Sequence, residues 1–216
     1  EYAYNFEVGL LKYFDDKKFQ TEFNVYYTLL NNYIMRDFFG VNGSQTIVYD
    51  NEVVRIVTNM NGGNAYIVGS TFNFKGSLNE TWFSKGSLTM TKGKSYDTKH
   101  PLSSIPPIFG ILELGYNKTV FEISLNWKFN GKKRLGNYNL IEGIDNLEQT
   151  PYNSLTEGYY GNPEWHTFNM LANYKLKNNI TLYLNIDNLL DVHYKEFASS
   201  ISAPGRNVSV SLLVNI

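Results

Sequence analysis

The last eleven residues of the chain alternate between apolar and polar side chains, and this alternation limits what the chain can fold into. Every second residue is apolar: Val208, Val210, Leu212, Val214 and Ile216. The residues between them are mostly polar: Asn207, Ser209, Ser211, Leu213 and Asn215. Successive side chains of a β-strand point to opposite faces of the sheet. The segment therefore predicts a strand with one apolar face and one polar face.

The same alternation recurs along the whole chain and predicts an all-β protein of nine strands. The strands are expected at residues 4–14, 19–37, 52–75, 81–93, 107–116, 120–130, 165–176, 180–190 and 206–216. Four connections are short polar turns, at 15–18, 76–80, 117–119 and 177–179. The others are long, at 38–51, 94–106, 131–164 and 191–205, and no segment predicts a helix. Short turns at one end and long loops at the other are typical of an antiparallel transmembrane β-barrel.

The composition agrees with a barrel wall in a membrane. The chain has 17 Tyr and 14 Phe, and aromatic residues flank the predicted short turns, as at Phe14, Phe19, Phe74, Trp82, Tyr116, Phe121 and Tyr174. Transmembrane barrels place such aromatic girdles at both lipid–water interfaces. The net charge of -1 gives no reason to expect a nucleic-acid partner. No run of about 18 apolar residues is present, so no transmembrane helix is predicted.

The alternation also assigns the two faces of each strand. In the sixth strand the residues expected to face lipid are Phe121, Ile123, Leu125, Trp127 and Phe129. The residues expected to face the lumen are Glu122, Ser124, Asn126 and Lys128, since a charge facing lipid is costly. Nine strands would leave two unpaired edges, which a bilayer does not tolerate. We therefore expect residues 1–216 to be the C-terminal part of a larger barrel, and residue 1 not to be the natural start.

Short motifs along the chain resemble those of one family, the TonB-dependent outer-membrane receptors. An early strand carries Glu7-Val8-Gly9, and a proline-rich segment, 101–107, precedes a later strand. Asn162-Pro163-Glu164-Trp165-His166-Thr167-Phe168-Asn169 is similar to the family's segment before its antepenultimate strand. Asn188-Leu189-Leu190-Asp191 with Tyr194, and Ala203-Pro204-Gly205-Arg206, resemble the motifs before the last strand. Together these motifs cover essentially the whole chain.

The resemblance implies a location, a mechanism and several partners. It implies about nine C-terminal strands of a barrel of roughly 22 strands in the outer membrane of a Gram-negative bacterium. The family carries an N-terminal plug domain and a box that binds TonB, and both are absent from this chain. Expected partners are outer-membrane lipid, the receptor's own plug, the TonB complex through that plug, the barrel assembly machinery and a small-molecule chelate. A ferric siderophore is favoured as cargo, with haem, cobalamin and glycan left open.

Candidate substrate contacts lie in the long loops and on the extended second and third strands. Cationic and phenolic groups suit an anionic, aromatic chelate, because they offer charge-assisted hydrogen bonds and ring stacking. The candidates are Lys132, Lys133, Arg134, Tyr138, Tyr159 and Tyr160 in the 131–164 loop, with Tyr33, Arg36 and Arg55 on the strand extensions. A solvated basic loop near anionic surface lipid is the alternative. The apolar positions of the last strand, Val208, Val210, Leu212, Val214 and Ile216, are expected to carry the assembly signal, although such strands usually end in an aromatic residue.

The sequence offers no basis for catalysis. It contains no Gly-x-Ser-x-Gly nucleophile motif, and its three histidines, His100, His166 and His193, lack metal-ligand spacing. We therefore predict no enzyme, no resident cofactor and no metal site. A passive porin or small closed barrel is the first alternative, an outer-membrane enzyme the second and a soluble secreted β-sandwich the third.

Overall fold

The computed structural model describes residues 1–16 and 18–215. In chain order the strands are β1 (Tyr2–Phe14), β2 (Phe19–Asn31), β3 (Ile34–Phe38), β4 (Thr46–Tyr49), β5 (Glu52–Arg55), β6 (Val57–Asn61), β7 (Asn64–Ser77), β8 (Trp82–Ser95), β9 (Phe109–Lys118), β10 (Phe121–Asn130), β11 (Tyr152–Asn153), β12 (Gly158–Tyr159), β13 (Trp165–Lys177), β14 (Ile180–Asp187) and β15 (Asn207–Val214). Two 3-10 helices, Leu135–Asn137 and Leu147–Gln149, lie in the longest loop. The expectation that no segment is helical missed these two short turns. Within the described ranges, no helix is long and apolar enough to cross a membrane.

Nine of the strands form one antiparallel sheet, as the sequence predicts. Their order is β1-β2-β7-β8-β9-β10-β13-β14-β15, so each strand pairs with the sheet strand that precedes it in the chain. Neither β1 nor β15 has a second neighbour among the described residues. The sheet is therefore open and of the up-and-down kind, and each of its two edge strands has one unpaired side within the described residues.

The strand register confirms that the predicted apolar and polar residues lie on opposite faces of the sheet. One row across five strands is apolar throughout, running through Leu114, Leu125, Met170, Ile186 and Val208. The neighbouring row on the opposite face is mostly polar and includes Ser124, Asn185 and Ser209. In β15 the positions 208, 210, 212 and 214 share the apolar face, whereas Ile216 lies outside the described residues. The assembly role of β15 stays a prediction.

The second and third predicted strands are shorter than expected, because the backbone bends where they leave the sheet. Asn32 and Gly63 both adopt positive φ angles, of 54° and 77°, which interrupts the predicted strands 19–37 and 52–75. The ladder continues through paired hydrogen bonds between Tyr33 and Gly63 or Gly62, and resumes as β3 with β6. The predicted loop 38–51 contains β4, which pairs with β5. Residues 32–63 thus form one long, bent hairpin.

The buried apolar residues collect at one end of the sheet. Tyr33, Met35, Ala65 and Leu102 form a small core, against which Leu30, Ile67 and Ile105 pack. Leu30, Ile67 and Ala65 lie on the polar face of β2 and β7, and Leu102 and Ile105 come from the connection between β8 and β9. The connection therefore folds inward over the polar face at the end that carries the long loops.

Candidate functional site

Four long segments lie together at one end of the sheet and form what we call the loop cap. They are residues 32–63, 96–108, 131–164 and 188–206, which connect β2 to β7, β8 to β9, β10 to β13 and β14 to β15. The opposite end carries only short turns between consecutive strands. The predicted asymmetry of the connections is confirmed, and binding residues often lie on loops that a rigid scaffold carries.

A buried ion pair lies at the centre of the loop cap. The Lys133 ammonium is 2.8 Å from the Asp145 carboxylate, and their side chains are only 2% and 3% exposed. The ammonium also donates to the carbonyl of Ile105 at 2.8 Å, and the amide of Ser104 donates to the same carboxylate at 2.7 Å. The ring of Phe197 lies 4.0 Å from the ammonium. The pair therefore joins three of the four segments: 96–108, 131–164 and 188–206.

Glu142 extends these contacts to the fourth segment. The Ser103 hydroxyl donates to its carboxylate, and the backbone of Arg36 also hydrogen-bonds to it. Burial raises the pKa of Glu142, and the contacts with Arg36 oppose that shift. Asn146 adds a further link, since its amide donates to the carbonyl of Ala198 at 2.7 Å. All four segments are thus joined by polar contacts.

Burial also changes the acidity of the groups around the ion pair. It lowers the pKa of the Lys133 ammonium, while the hydrogen bond and charge of Asp145 oppose the shift. It raises the pKa of the Tyr138 phenol, whose ring lies 4.6 Å from the ammonium. A buried cation with a bonded carboxylate and two aromatic faces is satisfied within the protein and is not free to bind an external anion.

Gly161 allows the chain to pass close to the ion pair. Its φ is +82°, and a Cβ atom there would lie 2.1 Å from the carbonyl oxygen of Lys133. The next residue, Asn162, forms a backbone β-bridge with Lys133. The backbone N–H of Asn162 also donates to the Tyr138 hydroxyl at 3.0 Å. The Asn162-Pro163 segment can therefore lie directly against the backbone of Lys133, because residue 161 has no side chain.

The nine predicted substrate contacts divide into a buried group and a surface group. Lys133 and Tyr138 in the 131–164 loop, and Tyr33 beyond the end of β2, are buried. Their polar atoms are used internally, and the Tyr33 hydroxyl lies 3.2 Å from the sulfur of Met35. The remaining six are at least partly exposed: Arg36, Arg55, Lys132, Arg134, Tyr159 and Tyr160. Among these, Tyr159 packs edge-on against Tyr152 with ring centroids 5.1 Å apart, and the Tyr160 hydroxyl accepts from Asn153.

The structure has a cavity in the loop cap and another at the opposite end of the sheet. One of about 380 Å³ lies within the loop cap, lined by residues 149–151, 162–165 and 192–195. Its Trp165 ring stands 4.3 Å from Tyr194, and the buried indole N–H has no hydrogen-bond partner within the described part of the chain. The other, of about 360 Å³, lies on the polar face near the short turns. Its wall includes Lys75 and the Lys85–Glu113 ion pair, whose atoms are 3.0 Å apart.

Sequence reasoning missed Asp145, Ile105 and Phe197, the partners of Lys133. These residues contact Lys133 across separations of 12 to more than 60 positions, in segments without regular periodicity. No spacing rule connects them. The only signal in the sequence was the negative charge of Asp145. That signal is no stronger than the charge of its acidic neighbours Glu142 and Glu148. Within the described ranges, no cluster of three or more His, Asp or Glu side chains has the geometry of a metal site.

Comparisons with known proteins point to one family. A family model described as TonB dependent receptor-like, beta-barrel matches residues 1–189. No curated protein sequence matches the chain significantly. The solved structure of the copper transporter OprC is similar, with a TM-score of 0.73 and 17% identity, covering 98% of this chain and 31% of that one.

Two receptor structures give similar results. The pyoverdine outer membrane receptor FpvA of Pseudomonas aeruginosa PAO1, bound to pyoverdine, matches with a TM-score of 0.68 and 15% identity over 99% of this chain and 30% of that one. The ferric-catecholate import receptor Fiu of E. coli K12 matches with a TM-score of 0.66 and 14% identity over 98% and 27%. At this identity the likeness is one of fold. The chain spans less than a third of the length of each of these proteins.

Proposed function

Because the chain belongs to the TonB-dependent receptor-like β-barrel family, we propose that it forms part of the wall and the extracellular loops of an outer-membrane active-transport receptor. The full receptor would bind a scarce nutrient at the loop cap and import it with energy delivered by TonB. The observation that carries this proposal is the loop cap itself. The Lys133–Asp145 pair joins three of its segments and Glu142 links the fourth, so they offer a preformed surface at the end with the long loops. Preorganised surfaces bind ligands at lower entropic cost.

A small anionic chelate, such as a ferric siderophore, fits the exposed groups of the loop cap best. Lys132, Arg134 and Arg36 are exposed cations, and Tyr160 adds an exposed phenol. Cations bind carboxylate or catecholate oxygens, and aromatic rings stack on flat ligands. The similar solved structures include a copper transporter, a ferric-catecholate import receptor and a ferripyoverdine receptor, and copper, ferric catecholates and ferripyoverdine are all metals or metal chelates.

The polar face of the sheet would contact the plug domain of the receptor. A plug domain inside the barrel needs a wall that offers charges and hydrogen bonds. The 360 Å³ cavity provides them through Lys75, Lys85, Glu113 and Glu22. TonB would act on this plug, and the apolar face would contact outer-membrane lipid after insertion by the barrel assembly machinery. The receptor would hold no resident cofactor and perform no bond chemistry.

Uptake of ferric chelates by a strain that lacks its own copy of the gene tests this proposal. The full-length receptor is supplied on a plasmid, and cells are given chelates labelled with radioactive iron. We expect uptake of at least one chelate, and its loss when TonB is deleted. Uptake that continues unchanged without TonB would contradict the proposal and favour a passive porin.

A charge variant tests the substrate surface. Replacing Lys132 and Arg134 by alanine removes two exposed cations without touching the Lys133–Asp145 pair. Each charge-assisted hydrogen bond contributes enough that the affinity for the chelate should fall about tenfold or more. Lys118→Ala, near a short turn at the opposite end, removes a similar charge and should leave affinity unchanged. If the double alanine variant and Lys118→Ala bind the chelate with equal affinity, Lys132 and Arg134 do not contact the substrate.

A further inference from the structure

Two lysines on the apolar face of β8 have no role in the substrate and plug contacts proposed above. Lys92 pairs across the sheet with Val68, and Val68 pairs with Tyr27. Lys94 pairs with Tyr66, which in turn pairs with Leu29. These rows belong to the face that carries Phe72, Leu88 and Phe23 further along the same strands. Both lysines therefore stand on the lipid-facing side, where an uncompensated charge is unfavourable.

Neither lysine has a carboxylate partner among residues 1–16 and 18–215. Both side chains are exposed, and no carboxylate of the described residues lies within salt-bridge distance of either ammonium group. Lys85 on the same strand differs, since it points to the polar face and pairs with Glu113. Lys12, on the apolar face near the short turns, lies 4.7 Å from the ring of Phe14. Lys92 and Lys94 are thus two unpaired cations side by side on the wall.

Their height on the wall places them at the outer lipid headgroups. Trp82 and Tyr116 pack edge-on beside a short turn, with ring centroids 5.1 Å apart, and mark the inner aromatic girdle. Lys92 follows Trp82 by ten residues, which spans about 33 Å along a strand. With the strand tilt of barrels, about 35–45°, this corresponds to a height of about 25 Å, the thickness of the apolar band. Lys92 therefore lies at the upper border of the band and Lys94 just above it.

Three tyrosines complete the surface around the lysines. Tyr27 and Tyr66 stack with centroids 6.0 Å apart, and Tyr66 lies 5.1 Å from Tyr96. The hydroxyls of Tyr27 and Tyr96 are hydrogen-bonded to each other. Tyr27 and Tyr66 share the lipid-facing side with the two lysines, and Tyr96 continues the same alternation two residues after Lys94. Phenol hydroxyls donate hydrogen bonds to phosphate oxygens, and ammonium groups supply the opposite charge.

We propose that Lys92 and Lys94, together with Tyr27, Tyr66 and Tyr96, bind the phosphorylated headgroup of an anionic lipid in the outer leaflet. The site rests on the orientation in the proposed function, with the loop cap outside the cell. Charge complementarity identifies the occupant, because clusters of lysine at headgroup height attract anionic lipid. The acyl chains of such a lipid would lie along the apolar rows below, past Val68 and Met90.

Lipid binding to the purified full-length receptor in a nonionic detergent tests the site. The probe is bis-phosphorylated lipid A, and its phosphate-free analogue is the matched control ligand. Bound lipid is counted by native mass spectrometry over a titration. With two lysines contributing, the Lys92→Gln/Lys94→Gln double variant should bind the phosphorylated lipid about 30-fold more weakly. It should bind the phosphate-free analogue as the unchanged receptor does.

Control variants keep the result interpretable. Lys12→Gln removes a lipid-facing lysine at the opposite interface and should leave binding unchanged. Lys92→Arg/Lys94→Arg retains both charges and should retain binding. Equal binding of the two lipids, or unchanged binding by the double glutamine variant, would overturn the site. Displacement of the lipid by millimolar inorganic phosphate would overturn the choice of a lipid as occupant.

The same variants separate this site from the transport proposal. Lipid binding in detergent requires neither TonB nor a nutrient, so it can fail while uptake succeeds, and the reverse. We expect the double glutamine variant to import the chelate at the unchanged rate in cells. Loss of lipid binding with normal uptake supports both proposals, whereas TonB-independent uptake contradicts only the proposed function.

Discussion

The nine-stranded sheet and the loop cap differ in where their apolar side chains lie. In the sheet, apolar side chains such as Leu125 and Val210 stay 45% and 66% exposed. In the loop cap, Tyr33, Met35, Leu102 and Tyr138 are buried against neighbouring segments. The described residues therefore leave the apolar face of the sheet uncovered, as the proposed contact with lipid requires. The loop cap forms a small interior of its own.

The two regions also differ in how deeply their charged side chains are buried. The lysines of the polar face, such as Lys75 and Lys85, are exposed beside a cavity, and Lys85 pairs with the largely buried Glu113. The central charges of the loop cap are buried and paired. Removal of one partner from a buried pair leaves an isolated charge, whereas removal of an exposed charge has little effect on stability. The largest effects of mutation are therefore expected in the loop cap.

Asp145→Ala in the full-length receptor should give the largest loss. It leaves the Lys133 ammonium buried without its carboxylate, at a cost of about 3–5 kcal/mol. The free energy of opening of segments 96–108 and 131–164, measured by hydrogen exchange, should fall by that amount. The double variant Lys133→Met/Asp145→Leu removes both charges and should recover most of the protection. Unchanged exchange in Asp145→Ala would mean that the pair does not hold the segments together.

A pair of arginine substitutions on β10 tests the two faces of the sheet. Leu125→Arg places a charge on the lipid-facing side near the middle of the strand, and Asn126→Arg places it on the polar side. The first should reduce the free energy of unfolding in a bilayer by about 2–4 kcal/mol, and the second should be tolerated. Urea titration of the receptor refolded in vesicles measures both. Equal losses would contradict the assignment of the faces.

Gly161→Ala should weaken the loop cap by less than the loss of Asp145. The alanine would have to adopt a φ of +82°, with its Cβ against the Lys133 carbonyl. Positive φ alone costs about 1–2 kcal/mol for a residue other than glycine. Faster proteolysis within 131–164 is the expected result. Gly136→Ala is the matched control, because no atom lies within 4 Å of its added Cβ. Equal proteolysis of the two variants would remove the steric argument.

The smallest expected effect is a pH dependence that depends on Glu142. Burial raises the pKa of this carboxyl above its ordinary value of 4.5, so the folded loop cap binds the proton more tightly than the unfolded one. Its contribution to stability is full below pH 4.5 and declines as the pH rises through the raised pKa. Hydrogen exchange of 96–108 and 131–164 from pH 4 to 7 should show this decline. Glu142→Gln should flatten it, and an identical profile in the variant would refute the assignment.

The difference between the two regions also explains what the sequence could predict. Period-two alternation predicts the nine strands and their faces, because each position is decided by its neighbours in the same strand. It overestimates two strands, because the bends at Asn32 and Gly63 interrupt a hairpin that otherwise continues. The loop cap has no period. The exposure of Lys132 and Arg134 and the burial of Lys133 depend on Asp145, Ile105 and Phe197, which only the folded chain brings together.

Labelling of single cysteines in intact cells tests the central claim that this sheet spans the outer membrane with its loop cap outside. The chain contains no cysteine, and two exposed leucines mark its two ends: Leu155 in the loop cap, 93% exposed, and Leu78 at a short turn, 55% exposed. Each is replaced by cysteine in the full-length receptor, and cells are treated with a membrane-impermeant maleimide. We predict that Leu155→Cys is labelled in intact cells and Leu78→Cys only after the outer membrane is opened. Labelling of both variants in intact cells, or the reverse order, would contradict the account.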